Sequence, residues 1–186
     1  MRDMKIKSVI GLVIPLIVAG VALASIPAAR AGEDNEAPVL PSPTCDDLRV
    51  PRGNEVAFHA YARGAQIYRW NGSSWVFVAP DARLFADPNY QAEIGIHYAG
   101  PTWESYSGGK VRASRVAGCP SPDPTAIDWL KLRAVETAGP GVFSSVTYIQ
   151  RVNTTGGKAP TTPGSSVGEM VDAPYTAEYY FYRSED

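Results

Sequence analysis

At 186 residues and a formal net charge of −2, the chain is long enough for one domain with a real core and too short for two ordinary ones. The mild acidity argues against a nucleic-acid or anionic-membrane binder, because both need a basic face. Two cysteines without a nearby histidine pair do not make a sulfur-ligated zinc site, so no metal and no cofactor is expected.

Residues 1–31 read as a secretory signal peptide: Arg2, Lys5 and Lys7 give a basic start, residues 9–24 an apolar run, and Ala29-Arg30-Ala31 a small-residue exit. An uncleaved N-terminal anchor is the alternative, although Pro15 interrupts a run already short for a span. Ala22-Leu23-Ala24 offers a second cleavage site. Cleavage after Ala31 leaves one domain without a further membrane-spanning stretch, secreted or held in the periplasm or cell envelope. Residues 32–44, acidic and proline-bearing without a hydrophobic period, are an extended or disordered lead-in. In an oxidising compartment Cys45 and Cys119 are expected to pair.

From residue 50 onward the hydrophobic period is two. Val56, Phe58, Ala60 and Ala62 alternate with Ala57, His59 and Tyr61. Residues 66–70 and 75–78 flank Asn71-Gly72-Ser73-Ser74, a hairpin signal because Asn-Gly accepts the positive φ of a tight turn. Further strands are expected over 93–99, 110–116, 127–135, 144–152 and 175–182, with a helix over 126–137 as the one rival. Residues 156–174, polar and proline-bearing, are expected to form a long surface loop. The resulting fold class is all-β: a single antiparallel sandwich or partly closed barrel over 45–183, with a short tail at 184–186.

Several strings stand together along the chain: Gly64-Ala65-Gln66-Ile67-Tyr68, Ala79-Pro80-Asp81-Ala82-Arg83-Leu84-Phe85, and His97-Tyr98-Ala99-Gly100-Pro101-Thr102-Trp103-Glu104. Tyr148-Ile149-Gln150-Arg151-Val152-Asn153-Thr154, Gly156-Gly157-Lys158-Ala159-Pro160 and the aromatic run 175–182 follow. In that order they resemble the secreted domain-of-unknown-function family 3455 of bacteria and fungi, over nearly the whole of 45–183. The resemblance implies membership without a chemistry, since that family carries no established activity. Some of its members carry the name malate dehydrogenase, which this chain does not support: it has no G-x-G-x-x-G turn and no alternating βα pattern. Other members place a cysteine near the position of Trp70 and another after Gly-Gly-x-Ala-Pro. Both are absent here, which leaves Cys45–Cys119 as an alternative staple.

His97 leads the residues considered for chemistry, at a strand end before a Gly-Pro turn that returns Trp103 and Glu104. An imidazole, a carboxylate and aromatic rings around one turn suit a sugar site or an acid–base pair. Arg151 would clamp an anion or make a structural ion pair with Glu104 or Glu178. If residues 95–104 and 148–160 meet, His97, Trp103, Glu104, Arg151 and Asn153 converge, with Tyr98 or Tyr148 as an apolar wall. His59 with His97 and Glu104 or Glu93 is a weaker arrangement for a metal. The favoured reading is a non-catalytic module that binds a glycan, an envelope component or a partner protein. The other is a small extracytoplasmic hydrolase or lyase using His97 and Glu104, for which there is no G-x-S-x-G elbow or free thiolate to supply a nucleophile.

Overall fold

A computed structural model describes residues 36–185. The expected signal segment, the first residues of the lead-in and the final Asp186 lie outside the described residues. Eight strands follow one another: β1 (Asn54–Trp70), β2 (Trp75–Phe85), β3 (Glu93–Tyr98), β4 (Thr102–Ser105), β5 (Lys110–Cys119), β6 (Trp129–Ala138), β7 (Val146–Gly156) and β8 (Met170–Ser184). Each pairs antiparallel with the next, and β1 also pairs with β8, which closes the sheet into a barrel. Of the two architectures left open by the sequence, the sandwich is excluded and the barrel is fully closed. The reason lies in the 17-residue β1, which pairs with β8 over residues 54–69 and with β2 over residues 61–70.

Local chemistry explains the joints. The Asn71 side-chain oxygen accepts hydrogen bonds from the backbone N–H groups of Ser73 and Ser74, at 2.9 and 2.8 Å, and Gly72 takes a φ of +99°. That leaves Trp70 opposite Trp75, as the hairpin reading requires. The helical rival at 126–137 loses to β6, because Leu132 there packs into the barrel between its neighbours Arg115 and Ile149. The expected loop at 156–174 is shorter than its composition indicates. Gly156 ends β7, and β8 begins at Met170, with Pro174 paired to Ala65 although it lacks an N–H. The intervening residues lie over the first hairpin, where Trp75 Nε1 donates to Thr162 O at 2.9 Å and Trp70 N to Glu169 O at 2.8 Å.

Alternation sorts the side chains. Ala60, Ala62, Ala82, Leu84, Tyr179 and Phe181 point inward, small beside large, and fill the barrel around Trp103. One end is plugged by Phe143, from a 3-10 turn at Val142–Ser145, against Phe58 and Phe181 with ring centroids 5.1 Å away in each case. The outward side carries Arg83, Arg112, Glu136 and Arg183 in ion pairs, the inverse of a barrel that faces lipid. Among the described residues no helix is long and apolar enough to cross a membrane.

A second, smaller core lies outside the barrel wall. Cys45 and Leu48, at and within the 3-10 turn Asp46–Leu48, cover Trp129, Val152 and Cys119. The expected Cys45–Cys119 disulfide is formed. Gln150 Nε2 donates to Leu48 O at 2.7 Å, and the buried Tyr182 hydroxyl donates to Gln150 Oε1.

Gly64, midway along β1, fits only without a side chain: a Cβ there would lie 2.1 Å from Asp81 O and 2.4 Å from the Ala82 Cα. Gly64→Ala is therefore expected to destabilise the barrel by about 3 kcal/mol, the upper end of the overpacking range. Urea unfolding would register this as a lower midpoint. A variant that keeps the wild-type midpoint would contradict the close approach of β1 and β2.

Candidate functional site

Opposite the phenylalanine plug, the barrel interior opens into a cavity of about 220 Å³. Its polar lining comes from Gln66 on β1, His97 on β3, Arg115 on β5, Arg151 on β7 and Tyr179 on β8. Trp103, Leu130, Leu132, Phe77 and Pro80 supply the apolar walls. The side chains on this lining include no carboxylate.

His97 is 3% exposed and stacks on Trp103, its partner across β3 and β4, with ring centroids 4.3 Å apart and planes at 11°. Tyr179 meets the His97 ring edge-on at 5.2 Å. Nδ1 of His97 lies 2.9 Å from Thr102 O. A carbonyl can only accept, so Nδ1 carries the proton and Nε2 of the neutral ring keeps its lone pair. Burial depresses the His97 pKa to about 3; the nearby Arg151 charge acts in the same direction and the Thr102 hydrogen bond opposes it. His97 is thus a neutral acceptor in this cavity.

Arg151 faces inward from β7, opposite Leu130 and Tyr179 in the sheet register. Its Nε and Nη2 donate to Asp128 O, at 3.2 and 2.8 Å. Neither of the ion pairs expected from the sequence is made: Glu104 pairs with Lys110, and Glu178 with His59. Burial raises the Tyr179 phenol above its ordinary range while the Arg151 charge works against that rise, so its hydroxyl stays protonated. Two buried donors on the lining, Trp103 Nε1 and Gln66 Nε2, have no hydrogen-bond partner, although Gln66 lies near the Tyr175 hydroxyl.

Of the residues expected to converge, His97, Trp103 and Arg151 line this one cavity, and the rest do not. Glu104 follows Trp103 by one residue and so falls on the outer face of β4, where it accepts a hydrogen bond from Tyr98 at 2.7 Å and pairs with Lys110 at 3.1 Å. Those two contacts, Tyr98 first, hold its carboxyl below the usual range. Tyr98 shares that outer face and forms no wall of the cavity. Tyr148 instead borders an outer groove with Lys131 and Arg133. Asn153 sits at an irregularity of β7 with φ +48°, exposed, its side chain directed toward Glu178. The His97–Glu104 acid–base pair is therefore not assembled. His59 Nε2, 3.1 Å from Glu178 Oε2 on the outer face, does not share a site with His97.

Gln66 and Arg115 belong to the cavity without having been singled out from the sequence, and Tyr179 stood out only as one ring of the aromatic run 175–182. Their signal was the inward parity of β1, β5 and β8, which becomes readable once the register around the ring is known.

No curated protein and no solved structure matches the chain. The family described as "Protein of unknown function (DUF3455)" matches residues 51–183, which take in all eight strands apart from the last residue of β8 and every residue lining the cavity. The chain belongs to this family of proteins of unknown function.

Proposed function

We propose that the protein is a non-catalytic binding module that takes a small molecule into the open end of its barrel. The observation that carries this reading is the cavity itself: apolar walls, a few converging polar groups, and a buried donor, Trp103 Nε1, without a partner. Orphaned donors are costly in a protein interior, and a bound molecule that accepts from them removes the cost. Closed eight-stranded barrels have an interior of the size that suits one small ligand. Trp103 is inside while Tyr98 and Tyr148 are outside, so these three rings do not share one face for a glycan or a partner protein. An exported setting, in the envelope or outside the cell, agrees with the leader-like order of residues 1–31 and with a disulfide-stapled domain.

The test is a two-dimensional NMR titration with small aromatic, alkyl and monosaccharide compounds, run on the wild type and on Val78→Trp. Val78 lies at the cavity mouth, is 48% exposed, and tolerates a larger ring without disturbing the core. Resonances of Gln66, His97, Gly100 and Leu130 are expected to shift on binding, and Val78→Trp to weaken binding at least tenfold while remaining folded. Shifts confined to the outer face around Tyr98 or Tyr148, or undiminished binding by Val78→Trp, would place the site elsewhere.

A further inference from the structure

The charge pattern of the cavity narrows the chemistry of what it holds. In a chain with a formal net charge of −2, the inner lining carries two guanidinium groups, Arg115 and Arg151, and no carboxylate. A more open chamber adjoins it, sharing Gln66, Phe77, Arg115, Leu130 and Arg151, and adding Lys158. Its one acid, Asp128, lies at the outer rim with its carboxylate 3.9 Å from Arg115. Lys158 is turned onto the Pro124 carbonyl. The two linings together therefore carry three cationic side chains, Arg115, Arg151 and Lys158, against the single carboxylate of Asp128.

The hydrogen-bonding inventory points the same way. Arg151 donates Nε and Nη2 to a backbone carbonyl, Asp128 O, also approaches the Tyr179 hydroxyl, and pairs with no carboxylate. A guanidinium facing a low-dielectric chamber with a neutral acceptor keeps its charge uncompensated, and a carboxylate is the group whose geometry matches its planar fork. Trp103 Nε1 can only donate, and it is buried without an acceptor. Gln66 Nε2, beside the Tyr175 hydroxyl, is a further donor on the lining. Against these, Phe77, Pro80, Leu130 and Leu132 form a wall that offers nothing polar to a ligand. Donors and positive charge set among hydrocarbon in one chamber describe an amphipathic anion.

We infer, building on the cavity reading above, that the ligand is a small organic carboxylate carried on an apolar or aromatic body. The carboxylate sits toward Arg151 and Arg115, and the body lies against Phe77 and Pro80, on a strand remote from both arginines in the ring. Inorganic anions lack the part that fills the apolar wall, and neutral aromatics lack the part that answers the guanidinium groups.

The experiment is a calorimetric or NMR titration of the folded protein with three probes: phenylacetate, its neutral isostere phenylacetamide, and acetate. Phenylacetate is expected to bind at least tenfold more tightly than either of the others, with an affinity that falls as salt is raised. In Arg115→Gln and Arg151→Gln the advantage over the amide should shrink severalfold. Arg115→Gln secures the test if the Arg151 variant folds poorly, since the Arg115 side chain is 58% exposed. Binding of the amide as tight as that of phenylacetate, or a preference for the anion that survives both arginine variants, would overturn the inference while leaving the cavity reading in place. Acetate binding as well as phenylacetate would refute the apolar body. Failure of every probe to bind, with Val78→Trp indistinguishable from wild type across the wider compound set, would remove both readings together.

Discussion

Breaking the Cys45–Cys119 bridge is expected to lower the stability of the protein by about 4 kcal/mol, the chain-entropy estimate for a loop of this length. The two cysteines are 74 residues apart in sequence, and the bridge joins the end of β5 to the segment that precedes β1. The loop it closes holds β1 to β5, so the reduced unfolded chain regains a large conformational freedom. For a domain of this size that amounts to a fall in Tm of roughly 10–15 °C. The loss should be local in its structural signature. Leu48, Trp129 and Val152 form the outer cluster with the disulfide, and release of the covering segment exposes them, while Trp103 stays inside the barrel. Thermal melts with and without reductant, and of a Cys45→Ser/Cys119→Ser variant, provide the measurement. The variant should retain the strand spectrum and the ligand cavity; a melting point within a degree or two of wild type would show that the bridge contributes little.

His97 should give the protein a steep acid-side stability profile. In the unfolded chain an imidazole takes up its proton near pH 6.5, whereas in the folded protein burial delays this to about 3. Between those values the unfolded state binds more protons, so stability present above pH 6.5 is lost as the pH falls. At 1.36 kcal/mol per pH unit, acidification from 6.5 to 5 costs about 2 kcal/mol through this one side chain. The carboxylates held below their ordinary range, Asp87, Glu93, Glu104, Asp123 and Glu178, lose their contributions at lower pH, around and below 4. Urea unfolding at pH 7.5, 6.5, 5.8 and 5.0 would compare the wild type with His97→Gln, whose amide can still donate to Thr102 O. Contributions common to both proteins cancel in the difference. The variant is expected to be the flatter of the two over this window, and parallel profiles would mean that His97 accepts a proton in the folded state.

Alternation by itself did not decide which face of β3 is the interior. Period-two patterning showed that His97 lies opposite in parity to Ile96 and Tyr98, and the structure puts it inside. Grouping Glu104 with it relied on proximity along a short hairpin. Neighbouring residues of a strand point to opposite faces, so once Trp103 fills the interior beside His97, Glu104 must face outward. The pairs that do converge, His97 with Arg151 and Gln66 with Tyr179, come from strands remote in sequence, and no local signal joins them.

What the amino-acid sequence determined by itself was local: strands from period-two hydrophobicity, the Asn71-Gly72 turn from its backbone tolerance, and a disulfide from two cysteines. The two-sided aromatic run of β8 was equally visible, but not what covers each side. The tertiary structure decided that Tyr179 and Phe181 fill the barrel, while Tyr182 is roofed by the Gln150–Leu48 contacts. It also decided closure, because whether a sheet ends in two edges or in none depends on the register by which β1 meets β8, more than a hundred residues later in the chain. Alternation assigns a side chain to one of two faces at a cost set within a few residues, whereas the choice of interior, the cavity left within it and the charges around it depend on pairings between strands far apart in sequence.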